Sequence, residues 1–194
     1  MAQVHTQGLR FRRTLTGVLV RPDGTRIDLG VLASSGPGRY QWKRNLRYLL
    51  GSGLLLSLAL SKDPLAIWLL GMVTTAGGNY MAQDFLAGSA ARINAFNWHD
   101  TGSGFVAEAV TDVALGLPTG MARVAGTQSN PSSCIYRTVA TLLYDAPYTI
   151  TEWGLFSAAA ASILWDRAVL AVPRPVATAE SIEYTYDLSV VVGG

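Results

Sequence analysis

The sequence predicts a mainly β protein: an antiparallel β-sandwich or jelly-roll-like domain, preceded by a basic β-hairpin arm and a short helical, apolar segment. Three observations carry this expectation. Short β-prone stretches separated by turn residues fill the chain after residue 92, apolar and polar residues alternate strictly in the last of them, and an Asp-Gly pair divides two alternating runs near the N-terminus. The expected units are residues 1–40 for the arm, 41–92 for the apolar and helical segment, and 93–194 for the sandwich. On that division the sandwich folds without residues 1–40.

The arm is read from residues 8–33, which alternate around Pro22-Asp23-Gly24. Asp-Gly supplies the positive φ that a tight hairpin turn requires. Ser34-Ser35-Gly36-Pro37-Gly38 then breaks the pattern and makes a loop.

From Asn45 to Val73 the chain is mostly apolar. A membrane helix needs about 20 nearly uncharged apolar residues, and Lys62-Asp63-Pro64 interrupts the stretch, leaving fourteen residues before it (Tyr48 to Ser61) and nine after it (Leu65 to Val73). No membrane span is expected. The segment reads as a buried helix followed by a second short apolar element at a subunit contact, with Leu54, Leu55, Leu56, Leu58, Ile67, Trp68 and Leu69 as the candidate apolar interface. Met72, Ala76, Tyr80, Phe85 and Leu86 recur at near-helical spacing, which predicts a short amphipathic helix from Met72 ending at Gly88.

The expected strands of the sandwich are residues 93–100, 122–126, 136–144, 148–156, 162–170 and 181–192. Turn or breaker clusters stand at Thr101 to Gly104, Pro118 to Gly120, Thr127 to Ser133, Asp145 to Pro147 and Pro173 to Pro175. In the last strand Ile182, Tyr184, Tyr186, Leu188 and Val190 share one face and Glu183, Thr185, Asp187 and Ser189 the other, so one side is core and the other polar.

Composition narrows the function. Hydrophobic residues make up 49% of the chain and charged residues 14%, against about a quarter charged in an average soluble domain; the mean hydropathy is +0.27. A disordered tail, a collagen-like repeat and a disulfide scaffold are excluded, and much of the surface is expected to lie against other protein. The lone Cys134 can form no intrachain disulfide.

Charge is uneven: residues 1–50 hold nine basic and two acidic side chains, residues 51–194 six and eleven. Arg10, Arg12, Arg13, Arg21, Arg26, Arg39, Lys43, Arg44 and Arg47 are the candidate docking residues. Guanidinium groups pair with carboxylates or phosphates alike. Docking on an acidic protein is the expectation and direct nucleic-acid binding is not, since the arm offers no groove-reading helix.

Groups able to carry chemistry are few. His99 lies beside Asp100 and near Ser103, but neighbours on a strand point to opposite faces, and the strand-turn-helix context of a nucleophile elbow is missing. Metal-binding spacings such as H-x-x-x-H and C-x-x-C do not occur, so no catalytic residue, cofactor or metal is assigned and an enzyme is not expected. Glu152 and Asp166 are expected to pair with Arg123, Arg137 or Arg167 along the sheet.

Residues 93–194 carry a resemblance. INAFNWHDTGSG, Val110 to Leu115, ARVAGTQSNP with YRTVATL, ITEWGLFSA, LWDRAVL and SIEYTYDLSVVVGG follow one another in an order that resembles a family of virion structural proteins of tailed bacteriophages. The segment from Met72 to Leu86 is similar to the short helix ahead of that domain in the family, so the resemblance covers about residues 72–194. It implies a β-sandwich on the virion, most simply a head decoration (cement) protein that binds the major capsid protein and other copies of itself, as a trimer or dimer, assembled in the host cytoplasm. A tail, collar or fibre-attachment protein is the alternative. A host-surface carbohydrate-binding module, with Trp98, Trp153 or Tyr148 in a groove, is a further one. No catalytic residue comes with the family.

Overall fold

The computed structural model describes residues 10–35, 72–77, 84 and 92–191. Its strands are β1 (Arg10–Val20), β2 (Arg26–Ser35), β3 (Met72–Val73), β4 (Trp98–Gly102), β5 (Val124–Ala125), β6 (Thr127–Ser129), β7 (Ile135–Leu143), β8 (Tyr148–Phe156), β9 (Leu164–Val176) and β10 (Ser181–Val191). They form two antiparallel five-stranded sheets, β2-β1-β10-β7-β6 and β3-β9-β8-β4-β5. The first is called sheet A below and the second sheet B. The fold is the expected antiparallel sandwich.

Alternation decides what each sheet buries. On β10, Ile182, Tyr184, Tyr186 and Leu188 point into the space between the sheets, opposite Ile150, Trp153 and Leu155 of β8 and Ala168 and Leu170 of β9. The Trp153 and Tyr186 rings stack with centroids 5.3 Å apart, which joins the two sheets at their centre. Phe96 packs on Trp165 at 5.1 Å. Burying these aromatic side chains contributes roughly 2–3 kcal/mol each before conformational entropy is counted.

The hairpin turn forms where Asp23-Gly24 predicts it. Gly24 has φ +82°, its N–H donates to the Arg21 carbonyl at 2.9 Å, and Asp23 Oδ1 accepts the Thr25 N–H at 2.8 Å. The hairpin is nevertheless part of the sandwich. β1 pairs with β10 at every position from Arg10↔Val191 to Val20↔Ser181 and lies between β2 and β10. Residues 10–35 thus supply two strands of sheet A, and the division into an arm ahead of a self-sufficient sandwich is corrected. β2 is the edge, and register shifts near Leu32 and Leu29 bulge it. An edge so bent is a poor template for further strand pairing.

Four other expectations change. Met72–Val73, where the expected amphipathic helix was to begin, is a short strand paired with Asp166 and Arg167 of β9; residues 75–77 and 84 are helical, and the rest of the expected helix lies outside the described residues. Ile93–Ala95 is a 3-10 turn, and the strand begins only at Trp98. Thr127–Ser129, expected as a turn, forms β6 at the edge of sheet A. β9 continues through Pro173, which lies in the bulge between Val169 and Arg174, and Pro175, which stands opposite Thr149; a proline without N–H is tolerated where no ladder bond is donated. The candidate interface Leu54, Leu55, Leu56, Leu58, Ile67, Trp68 and Leu69 lies outside the described residues, as do Arg39, Lys43, Arg44 and Arg47.

Sheet B has a second, outer layer. Residues 103–123 leave β4, cross the outer face of sheet B and return to its edge at β5. Leu115 packs there with Phe156, Leu164 and Trp98 in a small core of its own. Gly154 permits the approach: a Cβ at that position would stand 2.9 Å from Leu115 Cδ2.

Candidate functional site

Polar side chains of types that carry chemistry converge on sheet B, and the strands they occupy decide what each can do. Glu152 of β8 faces outward beneath the 103–117 loop and is fully buried. Its Oε1 accepts the N–H groups of Gly104 at 3.1 Å and Leu117 at 2.7 Å, and its Oε2 that of Gly116 at 3.0 Å. Arg167, across the ladder on β9, donates to Oε2 through Nε at 2.8 Å and lies 2.7 Å away through Nη2. The same guanidinium reaches Asp112 Oδ2 at 2.9 Å and the Val106 carbonyl at 3.0 Å. One carboxylate and one guanidinium therefore hold both ends and the middle of the loop. Two further bonds add to the hold: Val169 N–H donates to Glu108 Oε1 at 2.6 Å, and Thr75 N–H to the Val110 carbonyl at 2.7 Å.

Room for this carboxylate comes from glycine. A Cβ at Gly102 would meet Glu152 Oε1 and the Leu117 carbonyl oxygen at 2.5 Å, and one at Gly104 would meet Oε1 at the same distance. The Gly-Ser-Gly at 102–104 is thus the slot through which Glu152 reaches the loop amides.

A second cluster closes the same face. Arg123 donates to Asp100 Oδ2 at 3.2 Å, to the Ala158 carbonyl at 3.2 Å and to Ser162 Oγ. Its guanidinium lies 3.6 Å above the Phe156 ring, a cation–π contact. Burial raises the pKa of Asp100, with the Thr101 N–H and Arg123 acting against that.

Between the sheets, Arg13 of β1 is ion-paired with Asp166 of β9, the two side chains 4% and 0% exposed. Asp166 Oδ2 also accepts from Tyr186 Oη at 3.0 Å, and Tyr186 Oη accepts from Trp165 Nε1 at 3.1 Å. Burial lowers Arg13 to about 10 and raises Tyr186 to about 12, so at neutral pH the arginine is charged and the phenol is not.

His99 and Asp100 fall on opposite faces of β4, as neighbours on a strand must. The His99 ring is fully buried, Trp153 Nε1 donates to its Nδ1 at 3.3 Å and Nε2 lies 3.1 Å from Thr138 Oγ1. Indole N–H only donates, so Nδ1 is the acceptor and Nε2 carries the proton. Burial holds its pKa down to about 3. His99 faces Trp153 and Thr138 while Asp100 faces Arg123, so the two are not assembled with Ser103 into a nucleophile and base.

The expected site residues separate into three groups. Arg12, Arg21 and Arg26 stand on the surface; Arg21 lies 3.4 Å from Glu180 and Arg26 is 2.8 Å from Glu183. Arg10 lies in β1 opposite Val191. Arg13 is corrected from docking residue to core residue, because it shares the inward face of β1 with Leu15 and Gly17. Of the expected acid partners, Glu152 does take Arg167, Arg137 takes Asp187 at 2.7 Å, and Asp166 takes Arg13 in place of the three arginines named for it. Of the aromatics named for the carbohydrate-binding alternative, Trp153 is wholly buried, while Trp98 and Tyr148 are partly buried and pack against the outer and central cores.

Family models, curated proteins and solved structures yield no match to this chain.

Sequence reasoning missed the outer surface of the loop. Phe105 is 82% exposed, Val106 and Val113 70%, Leu117 58% and Val110 48%. Their signal was an apolar run that follows neither the strand period nor the helix period. Among the described residues no helix is long and apolar enough to cross a membrane, and no group of three His, Cys, Asp or Glu side chains is placed to hold a metal ion.

Proposed function

We propose that this chain is a virion structural protein of a tailed bacteriophage, a capsid decoration (cement) protein that binds the shell and stabilises it through repeated contacts between subunits. The observation that carries the reading is a pair of chemically different exposed surfaces, one cationic and one apolar, on opposite sides of one sandwich. Arg12 and Arg26 stand at outward positions of sheet A, and the apolar loop covers the outer side of sheet B. A bridge needs two such surfaces, one for the major capsid protein and one for a neighbouring subunit. Buried polar groups hold the apolar surface in place, which suits a static role: a rigid patch loses little entropy when it is covered.

The order of segments that resembles the phage family supports the same reading. They fall on β4 to β10 and on the loop, so the resemblance concerns the sandwich and its outer layer. The cations suit acidic patches of a shell protein. The ion pairs of Arg21 and Arg26 are exposed and worth at most about 1 kcal/mol each, so they can be exchanged for carboxylates of a partner.

Reversal of the three surface charges tests the shell contact. The variant Arg12→Glu, Arg21→Glu, Arg26→Glu is expected to fold normally and to bind purified particles at least tenfold more weakly. Unchanged occupancy at physiological salt would remove sheet A as the shell-facing surface.

A further inference from the structure

The structure assigns, we infer, the loop from Phe105 to Leu117 as the contact surface between copies of this chain. The inference rests on the bridging reading for its purpose, while its test needs only the purified chain. Three observations select a second copy as the occupant.

The first is area. Phe105, Val106, Val110, Val113 and Leu117 are 48–82% exposed and together present on the order of 500 Å² of apolar side chain, near the top of the roughly 300–600 Å² that the largest patch of a monomer reaches. Two such patches facing each other bury about 1,000 Å², the size at which a specific protein interface begins.

The second is charge. The loop holds two ionisable side chains, and both are engaged within the molecule: Glu108 by the Val169 N–H at 2.6 Å, Asp112 by Arg167 at 2.9 Å and the Ala109 N–H at 2.9 Å. Both carboxylates are turned to partners inside the molecule, and the outward side chains of the loop at 105, 106, 110, 113 and 117 are apolar, the composition that suits a two-fold contact of one patch with itself. A lipid surface is a poorer fit. Residues 103–122 contain no lysine or arginine, whereas loops and helices that lie on membranes draw much of their affinity from basic residues beside the apolar ones.

The third is rigidity. The backbone of the loop is held at Gly104, Val106, Ala109, Val110, Gly116 and Leu117 by hydrogen bonds to Glu152, Arg167, Asp112 and Thr75. A fixed apolar surface can match its copy without ordering a segment first.

The test is sedimentation velocity of the full chain over a wide concentration range, for wild type, for Phe105→Asp with Val113→Asp, and for Leu143→Asp. Leu143 is 61% exposed on sheet A, away from the loop, and controls for loss of any surface apolar residue. Wild type and Leu143→Asp are expected to associate at micromolar concentration. The double variant is expected to stay monomeric to at least a hundredfold higher concentration, with an unchanged circular dichroism spectrum, since both replaced side chains point to solvent. Three results would overturn the inference: a monomeric wild type, association undiminished in the double variant, or loop-dependent binding to anionic phospholipid vesicles without self-association. Failure here leaves the charge-reversal result on particles untouched, and failure there leaves this one.

Discussion

Arg13 of β1 and Asp166 of β9, 153 residues apart in sequence, form an ion pair inside the sandwich that links sheet A to sheet B. Both charges are out of water, so removing either strands the other. Arg13→Ala and Asp166→Ala are each expected to lower the unfolding free energy by about 3–5 kcal/mol. The pair Arg13→Met with Asp166→Leu should recover at least half of that loss, because no lone charge stays buried. Guanidinium chloride titration measures both, and a loss below about 1 kcal/mol for the single variants would place the pair with ordinary surface bridges.

Glu152 makes a local prediction. Glu152→Ala leaves three loop amides without their acceptor and removes the buried one of Arg167's two carboxylate partners, with an expected cost of about 3–5 kcal/mol. Hydrogen exchange at the amides of Gly104, Gly116 and Leu117 should accelerate more than exchange in β10. Uniform acceleration across the chain would mean that the carboxylate supports the whole fold and not the loop.

His99 makes a prediction about pH. Its folded pKa, lowered to about 3 by burial, lies below the ordinary value of 6.5, so under acid conditions the unfolded chain binds the proton first. The neutral ring's contribution is complete above about pH 6.5 and is lost as pH falls toward 3, by about 5 kcal/mol at most. Asp100, raised by burial, works in the opposite sense near the lower end. The difference in stability between wild type and His99→Gln isolates the histidine: it should shrink steadily from pH 7 to pH 4, and a constant difference would show that the ring does not titrate against folding.

Truncation makes a fourth. Because β1 lies between β2 and β10, a chain beginning at residue 41 exposes the backbone edge of β10 and uncovers Tyr184 and Tyr186. It is expected to lose its cooperative thermal transition. A folded, monomeric truncation product would restore the hairpin to the role of a detachable arm.

What could be read from the sequence was what local rules decide. The alternation from Ile182 to Val190 and the Asp23-Gly24 turn each depend on a few adjacent residues, and both appear as expected on the described residues. Pairing between distant segments has no such signal. Nothing near Arg10 announces that β1 will lie beside residues 181–191, and Arg13 was accordingly read as a docking residue. β9 passes through two prolines because of its position in sheet B, not its composition. At the candidate site, the pairing of Glu152 with an arginine was legible, while its three amide donors come from a loop whose path no periodicity describes.

The central claim is that the chain sits on a phage shell, and imaging of purified particles that carry it tests this most directly. The account predicts density repeated over the head lattice, dozens to hundreds of copies per particle, with the charged side of sheet A toward the shell and the 105–117 loops of neighbouring subunits in contact. A single ring or a few copies on the tail, or no density on any particle, would contradict it.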